Sequence, residues 1–241
     1  MLLFTLPLFA VALIYGAAAL LPAIYLMKYI YRKDTVEKEP SMLLMSLLIY
    51  GVIAALISIA LEGIGTKILN SLMDQSTLGY TLVLAFVVVA MVEEGAKFAM
   101  LKRRTWREIN FNYRFDGIVY AVFISLGFAA FENIGYVLGY GLSVAPARAL
   151  LAVPGHMCFG VFMGTFYGRA KQCQVWGDKS EERANLWLGY IVAVLLHGFY
   201  DSCAMINTVA SSIIFIAFVV IMYIVVIKKV NKESQSDGPI I

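Results

Sequence analysis

The sequence predicts an all-α fold, a polytopic transmembrane helical bundle with about seven spans. Hydrophobic residues make up 61% of the 241 residues and charged residues only 15%, whereas a soluble domain carries about 25% charged residues. The mean hydropathy is +0.80. The apolar residues also form long blocks, and about 20 consecutive apolar residues cross the hydrocarbon layer as a helix.

Seven spans can be assigned from these blocks, within a range of five to eight. They cover approximately residues 5–28, 42–62, 79–101, 115–139, 148–169, 187–206 and 209–227. Pro154 and Gly155 interrupt the fifth block, and a broken helix is tolerated in a membrane only where protein or a water-filled cavity covers its free backbone groups. The sixth and seventh blocks could instead form one re-entrant unit.

The blocks are expected to form a single transmembrane domain over residues 1–229. The first block is too long for a cleavable signal peptide, and no Lys or Arg precedes it, so we expect it to be retained as a span. The polar residues 230–241 are expected to form a disordered cytoplasmic tail.

Basic residues in the loops indicate the orientation. Clusters of Lys and Arg follow the first, third, fifth and seventh blocks, whereas the intervening loops hold only Lys67 and Arg148. Because positive residues favour the cytoplasmic side of the membrane, the sequence predicts an N-terminus outside and a C-terminus in the cytoplasm.

The composition also argues against several classes of protein. The net charge of +3 comes without a basic face or a readout motif, so no nucleic-acid partner is expected. The cysteines Cys158, Cys173 and Cys203 make no CxxC pair and no even framework, so neither disulfides nor a cysteine zinc site is indicated. The lipid bilayer is the partner that the composition implies.

Polar and charged residues interrupt the apolar blocks at a few positions. They are Glu93, Glu94, Lys97, Glu132, Asn133, His156, His197 and Asp201, with Asp116 near the edge of a block. A central Asp, Lys or Arg costs about 2.5–3.5 kcal/mol on insertion. Such residues face the bundle interior, pair with one another and mark functional sites.

The spacing of these residues indicates a shared cavity. Glu93 and Lys97 lie four residues apart, as do His197 and Asp201, and side chains at this spacing share one face of a helix. Glu132 and Tyr136 repeat the pattern. At about 1.5 Å per residue, the predicted orientation places the polar groups between the mid-plane and the outer leaflet, where they can meet.

Two kinds of hydrolytic chemistry fit this set. Glu93 or Glu94 can act as the base that activates a water molecule, while a histidine donates a hydrogen bond to the oxyanion. Alternatively, His156, His197 and Glu94 could bind zinc with an open fourth position, although the sequence has no HExxH motif. The residues favour a glutamate-activated water without a cofactor, and zinc stays open. The catalytic core is then residues 79–206.

Some small residues have a purely structural interpretation. Gly160, Gly164 and Gly168 lie four apart in the fifth block, and such ridges allow close packing of membrane helices. Asp116 fits a helix cap or an ion pair better than a catalyst.

Five motifs in order resemble the PrsW family of bacterial membrane proteases. They are EEGAK at 93–97, FDGIVYA at 115–121, GFAAFENIGY at 127–136, His156 followed by FGVFMG, and LHGFYD at 196–201. The resemblance implies a multi-pass protein of the bacterial cell membrane that makes the site-1 cut in a membrane-anchored anti-sigma factor. This cut would activate an extracytoplasmic-function sigma factor under envelope stress.

The same resemblance implies the residue roles. Glu93, Glu94 and His197 are the first catalytic candidates and His156 the next, with Glu132, Asp201, Lys97, Asn133 and Asp116 in support. PrsW proteins are in turn similar to type II CAAX prenyl endopeptidases, which show EExxxR, FxxxH and HxxxN/D.

This chain departs from that second pattern at two points. The basic residue Lys97 comes one position early, and Glu132 stands where the histidine of FxxxH is expected. We therefore expect His156 to take the place of that histidine.

Two other functions would also use buried charges. An ion- or proton-coupled transporter needs buried Glu, His and Lys, but transporters usually show duplicated halves, and no internal repeat is evident. A non-enzymatic membrane sensor is the third possibility.

Overall fold

The structure is a computed structural model that describes residues 8–240 of the chain. Within that range it is all-α, with seven continuous helices and no β-strand. The helices are α1 (Leu8–Lys33), α2 (Ser41–Leu72), α3 (78–105), α4 (Asp116–Tyr140), α5 (Leu142–Val175), α6 (Lys179–Ile206) and α7 (Val209–Gln235).

The predicted all-α membrane fold is confirmed, and each predicted span overlaps one helix. Six helices, all except α3, are long and apolar enough to cross a membrane by length and composition. The protein is therefore a multi-pass membrane protein. Residues 5–7 of the first predicted span lie outside the described residues, and the orientation of the termini stays a prediction.

Local capping separates α6 from α7. Asn207 adopts a left-handed conformation with φ of 50° and ends α6. Thr208 and Ser211 then form a capping box, in which the side chain of each accepts a hydrogen bond from the backbone N–H of the other. The two predicted blocks are therefore separate helices, each long and apolar enough to cross a membrane by length and composition.

Two of the long helices contain π-helical segments, Leu84–Ala90 in α3 and Arg148–Ala152 in α5. The predicted break at Pro154 is wrong, because α5 is continuous there. Pro154 follows the π-helical segment, in the first turn of the regular helix Val153–Val175. Local π-helical adjustment of this kind lets a membrane helix tolerate the missing N–H of a proline. π-helical turns are rare and often occur at functional sites.

Helix α4 forms the centre of the bundle. Its residues from Asp116 to Ala130 are all buried, and it packs mainly against α1, α2 and α5. Glycines allow the close approach to α5: a Cβ added at Gly164 would lie 2.4 Å from the carbonyl oxygen of Gly117, and one at Gly168 would lie 2.3 Å from that of Arg114. The predicted glycine ridge is confirmed as a helix-packing surface.

The C-terminal segment is ordered, which contradicts the predicted disordered tail at 230–241. Helix α7 continues to Gln235, and the residues after it bind the loop before α4. Ile240 N–H donates to the Asn112 carbonyl at 2.7 Å, Arg114 N–H donates to the Gly238 carbonyl at 3.4 Å, and Asp237 accepts from Phe115 N–H at 3.0 Å. Ile240 is 1% exposed. Ile241 lies outside the described residues.

Buried carboxyl groups lie beside this docked segment. Asp34 and Glu39 are buried in the loop between α1 and α2, and one oxygen of each has no hydrogen-bond partner among the described residues. Burial raises the pKa of Asp34 to about 6 and that of Glu39 to about 7. The Tyr120 hydroxyl donates a hydrogen bond to Glu39 at 2.8 Å, which opposes the raised pKa of Glu39 only in part.

We predict that Gly164→Ala destabilises the fold by about 1–3 kcal/mol, because the added methyl group pushes α5 away from α4. The thermal unfolding temperature of the purified protein in detergent measures the effect. Gly139→Ala is the matched control, since a Cβ at Gly139 meets nothing within 4 Å. An equal loss for both variants would contradict the packing argument.

We also predict that stability falls as the pH rises from about 4 to about 7. Asp34 and Glu39 have pKa values raised above their ordinary 3.8 and 4.5. Their stabilising contribution is therefore complete at low pH and is lost as they ionise in the fold. Unfolding temperatures measured across this range should show a shallower fall in Glu39→Gln. Glu181→Gln, which changes an exposed carboxylate at the start of α6, should keep the wild-type slope.

Candidate active site

Helix α3 contributes the first three site residues. Glu93, Glu94 and Lys97 lie in its regular part, Met91–Thr105, directly after the π-helical segment. The two carboxylates and the ammonium are buried, and Lys97 is only 1% exposed. Their spacing of three and four residues places them on one face, as predicted from the sequence.

The ammonium of Lys97 binds three acceptors at once. Its Nζ lies 3.0 Å from Glu93 Oε2, 2.8 Å from Glu94 Oε1 and 3.1 Å from His156 Nδ1. An ammonium group has three N–H donors, so this set satisfies all of them. Nζ also lies 3.9 Å from the ring centroid of Phe128 on α4, a cation–π contact.

These contacts determine the tautomer of His156, which α5 supplies. Because Nδ1 accepts a hydrogen bond from Lys97, it carries no proton in a neutral ring. The proton is then on Nε2, which lies 3.0 Å from Glu132 Oε2 on α4. Glu132 occupies the sequence position of the histidine in FxxxH. Its carboxylate therefore accepts a hydrogen bond from His156, the residue expected to replace that histidine.

His197 on α6 lies on the other side of the carboxylates. Its Nδ1 is 2.9 Å from Glu94 Oε1 and its Nε2 is 3.3 Å from Asp201 Oδ2. Both nitrogens face carboxylates, an arrangement that fits the doubly protonated ring. The ring stacks on Phe159 at a centroid distance of 4.7 Å. Gly198 allows α6 to approach, since a Cβ there would lie 2.3 Å from the Phe86 ring.

Arg148 completes the site, and sequence reasoning missed it by assigning it to a loop. It lies in the π-helical segment of α5 and donates from Nη2 to Glu132 at 2.9 Å and from Nε to Asn133 Oδ1 at 2.8 Å. Asn133 in turn donates to the Ala19 carbonyl on α1 at 2.7 Å. One signal in the sequence could have identified Arg148. It is a basic residue on the predicted outer side, whereas the loops with clustered basic residues are on the predicted cytoplasmic side.

Of two further carboxylates, Glu62 lies near the site and Asp116 lies away from it. Glu62 on α2 was also missed. It lies within electrostatic reach of Lys97 and His197, and its Oε1 is buried without a hydrogen-bond partner among the described residues. Asp116 belongs elsewhere: its carboxylate accepts the backbone N–H groups of Asn112 and Tyr113 at the start of α4. Asp116 thus binds the loop before α4 and does not cap the helix, whose N-cap residue Phe115 makes no side-chain cap hydrogen bond.

The four first catalytic candidates therefore meet in one place. Glu93, Glu94, His156 and His197 are all buried, and one potential ligand atom of each lies within 4.8 Å of the others. Glu94 Oε2 is buried and unpartnered among the described residues. Since buried polar atoms are normally hydrogen-bonded, this oxygen is a natural contact for a water molecule.

The donor set is chemically able to hold a metal ion. Two imidazoles and two carboxylates are typical zinc ligands. In the observed arrangement, however, the position between Glu93 Oε2, Glu94 Oε1 and His156 Nδ1 is filled by the Lys97 ammonium. The residues as arranged therefore do not fit a metal ion unless Lys97 leaves.

We predict that Glu94→Gln destabilises the protein by about 3–5 kcal/mol, because it removes one partner from a buried charge network. Glu94 Oε1 accepts from both Lys97 and His197, whereas Glu93 makes one hydrogen bond, with Lys97. Glu93→Gln should therefore destabilise the protein clearly less than Glu94→Gln does. Chemical or thermal unfolding in detergent compares the two variants, and a larger loss in Glu93→Gln would contradict this assignment.

Comparison with known proteins places these residues in a family. The family model described as PrsW family intramembrane metalloprotease matches residues 39–227. A protein named Protease PrsW from Clostridioides difficile (strain 630) is 32% identical over 218 residues, which is 89% of each chain. The protein of the same name from Bacillus subtilis (strain 168) is 32% identical over 185 residues, which is 77% of this chain and 80% of the relative.

No solved structure matches the chain. The family match covers well over half of the sequence. The chain therefore belongs to the PrsW family, as the motifs indicated, and this membership supports a membrane-embedded peptidase with a protein substrate.

Proposed function

We propose that this protein is an intramembrane protease that makes the site-1 cut in a membrane-anchored anti-sigma factor, and so activates an extracytoplasmic-function sigma factor under envelope stress. The observation that supports it best is the convergence of Glu93, Glu94, His156 and His197 from three helices at one buried site. The anti-sigma substrate comes from the resemblance to PrsW proteases. The site supplies the hydrolytic groups.

Glu93 is the better candidate for the general base. Its carboxylate accepts one hydrogen bond, from Lys97, and its side chain keeps some exposure. The carboxylate of Glu94 is fully buried and holds Lys97 and His197 together through one oxygen. We infer that Glu93 takes the proton from the attacking water and that Glu94 positions His197.

His197 is the candidate donor to the oxyanion. Its contact with the Asp201 carboxylate is the longer one, at 3.3 Å, and the Asp201 side chain is 17% exposed. A substrate carbonyl oxygen can therefore displace Asp201 and accept a hydrogen bond from the Nε2–H group. Preorganised donors of this kind stabilise the tetrahedral intermediate in a low-dielectric site.

The remaining groups complete the reaction. The water oxygen bonds to the carbonyl carbon, and the C–N bond then breaks. The leaving nitrogen receives the proton that Glu93 took from the water, so the base returns to its starting state. Glu132 and Arg148 keep His156 in the tautomer that accepts from Lys97. No step requires a metal ion.

We predict that Glu93→Gln lowers the cleavage rate by about 10²–10⁴-fold, the typical contribution of a general base. The assay uses the full chain in lipid vesicles with a membrane-anchored anti-sigma factor from a bacterium that encodes a PrsW protein, and follows the cut fragment on gels. Glu181→Gln, an exposed carboxylate at the start of α6, should cleave as the wild type does.

Two outcomes would contradict different parts of the proposal. Full activity in Glu93→Gln would remove Glu93 as the base. A wild-type protein that cleaves no anti-sigma factor, but cleaves other single-span proteins with the same dependence on Glu93, would remove the substrate assignment and leave the protease.

A further inference from the structure

We propose that the Lys97 ammonium is the permanent cation of this site and excludes a metal ion from it, although the family is described as metalloproteases. The inference concerns the same side chains as the proposed protease. It can be tested without any activity, so it stands or falls separately from the proposed function.

The distances place the ammonium in the position of a metal ion. A zinc ion bound to Glu93 Oε2, Glu94 Oε1 and His156 Nδ1 would lie about 2.0–2.2 Å from each. Lys97 Nζ already lies 2.8–3.1 Å from the same three atoms. Two cations cannot share this space, because they would repel strongly at such a separation in a low-dielectric interior.

The lone pair of His156 leads to the same conclusion. Metal binding uses an unprotonated imidazole nitrogen. The Nδ1 lone pair is occupied by a hydrogen bond from Lys97, and Nε2 faces the Glu132 carboxylate at 3.0 Å. His156 therefore has no free ligand atom while Lys97 is in place.

Burial and direct contacts hold the Lys97 side chain in the site. Its side chain is 1% exposed, and its ammonium lies against the Phe128 ring at 3.9 Å. Leaving would break three charge-assisted hydrogen bonds and place an unpaired charge among apolar side chains, which is strongly unfavourable.

The charge balance predicts what removal of the ammonium would do. Glu93 and Glu94 have Lys97 as their shared cation, and His197 is the other basic group beside them. Without Lys97, the two buried carboxylates would have only His197 beside them, and His156 Nδ1 would be free. The remaining groups would then be two carboxylates and two imidazoles, a set that binds zinc.

The test compares the zinc content of full-length wild type and Lys97→Met, which keeps a long side chain but removes the charge. Both proteins, purified in detergent, are stripped with chelator, equilibrated with Zn²⁺, washed and analysed by mass spectrometry of the metal. Lys97→Met should hold about one more zinc per chain than wild type, and adding His156→Ala should abolish the difference. Lys102→Met, an exposed lysine on the same helix, should match wild type.

The wild type provides the decisive comparison, even if Lys97→Met does not fold. Wild-type protein should hold no more zinc than its His156→Ala and His197→Ala variants. About one zinc per wild-type chain that is lost in both histidine variants would overturn the proposal. A folded Lys97→Met that gains no zinc would also overturn it, because the ammonium would then not be what keeps the metal out.

Discussion

Charged side chains inside a lipid-embedded bundle are stable only when other side chains neutralise and hydrogen-bond them. In this protein the partners come from different helices. A continuous series of contacts runs through Arg148, Glu132, His156, Lys97, Glu94, His197 and Asp201. The series joins α3, α4, α5 and α6, so the groups assigned to catalysis also hold the centre of the bundle together.

The packing of the backbone makes these contacts possible. Hydrogen bonds of about 3 Å between side chains on separate helices require close helix axes. Gly117 and Gly164 bring α4 and α5 together, and Gly198 admits the ring of Phe86 from α3 against α6. A bulkier residue at any of these positions would separate the partners of the buried charges, and the electrostatic network would weaken with the packing.

The sequence predicted the fold class, one helix for each apolar block and the meeting of Glu93, Glu94, His156 and His197 in one place, because hydropathy and buried charge are local signals. It did not predict the role of Arg148, since the charge lies at the edge of a block and its partners, Glu132 and Asn133, are 15 or more residues away. Glu62 was missed because it stood at the last position of the predicted span at 42–62, whereas α2 continues for ten more residues to Leu72. Helix-face reasoning assumes one constant period, which the π-helical segments in α3 and α5 break.

The docking of the last described residues has a practical consequence for handling the protein. Ile240 is buried, and its backbone is hydrogen-bonded to the loop before α4. An affinity tag or fluorescent protein fused directly behind this segment would begin next to a packed side chain and strain its contacts. A flexible spacer of Gly and Ser residues would let the fused partner extend freely while the docked segment keeps its place.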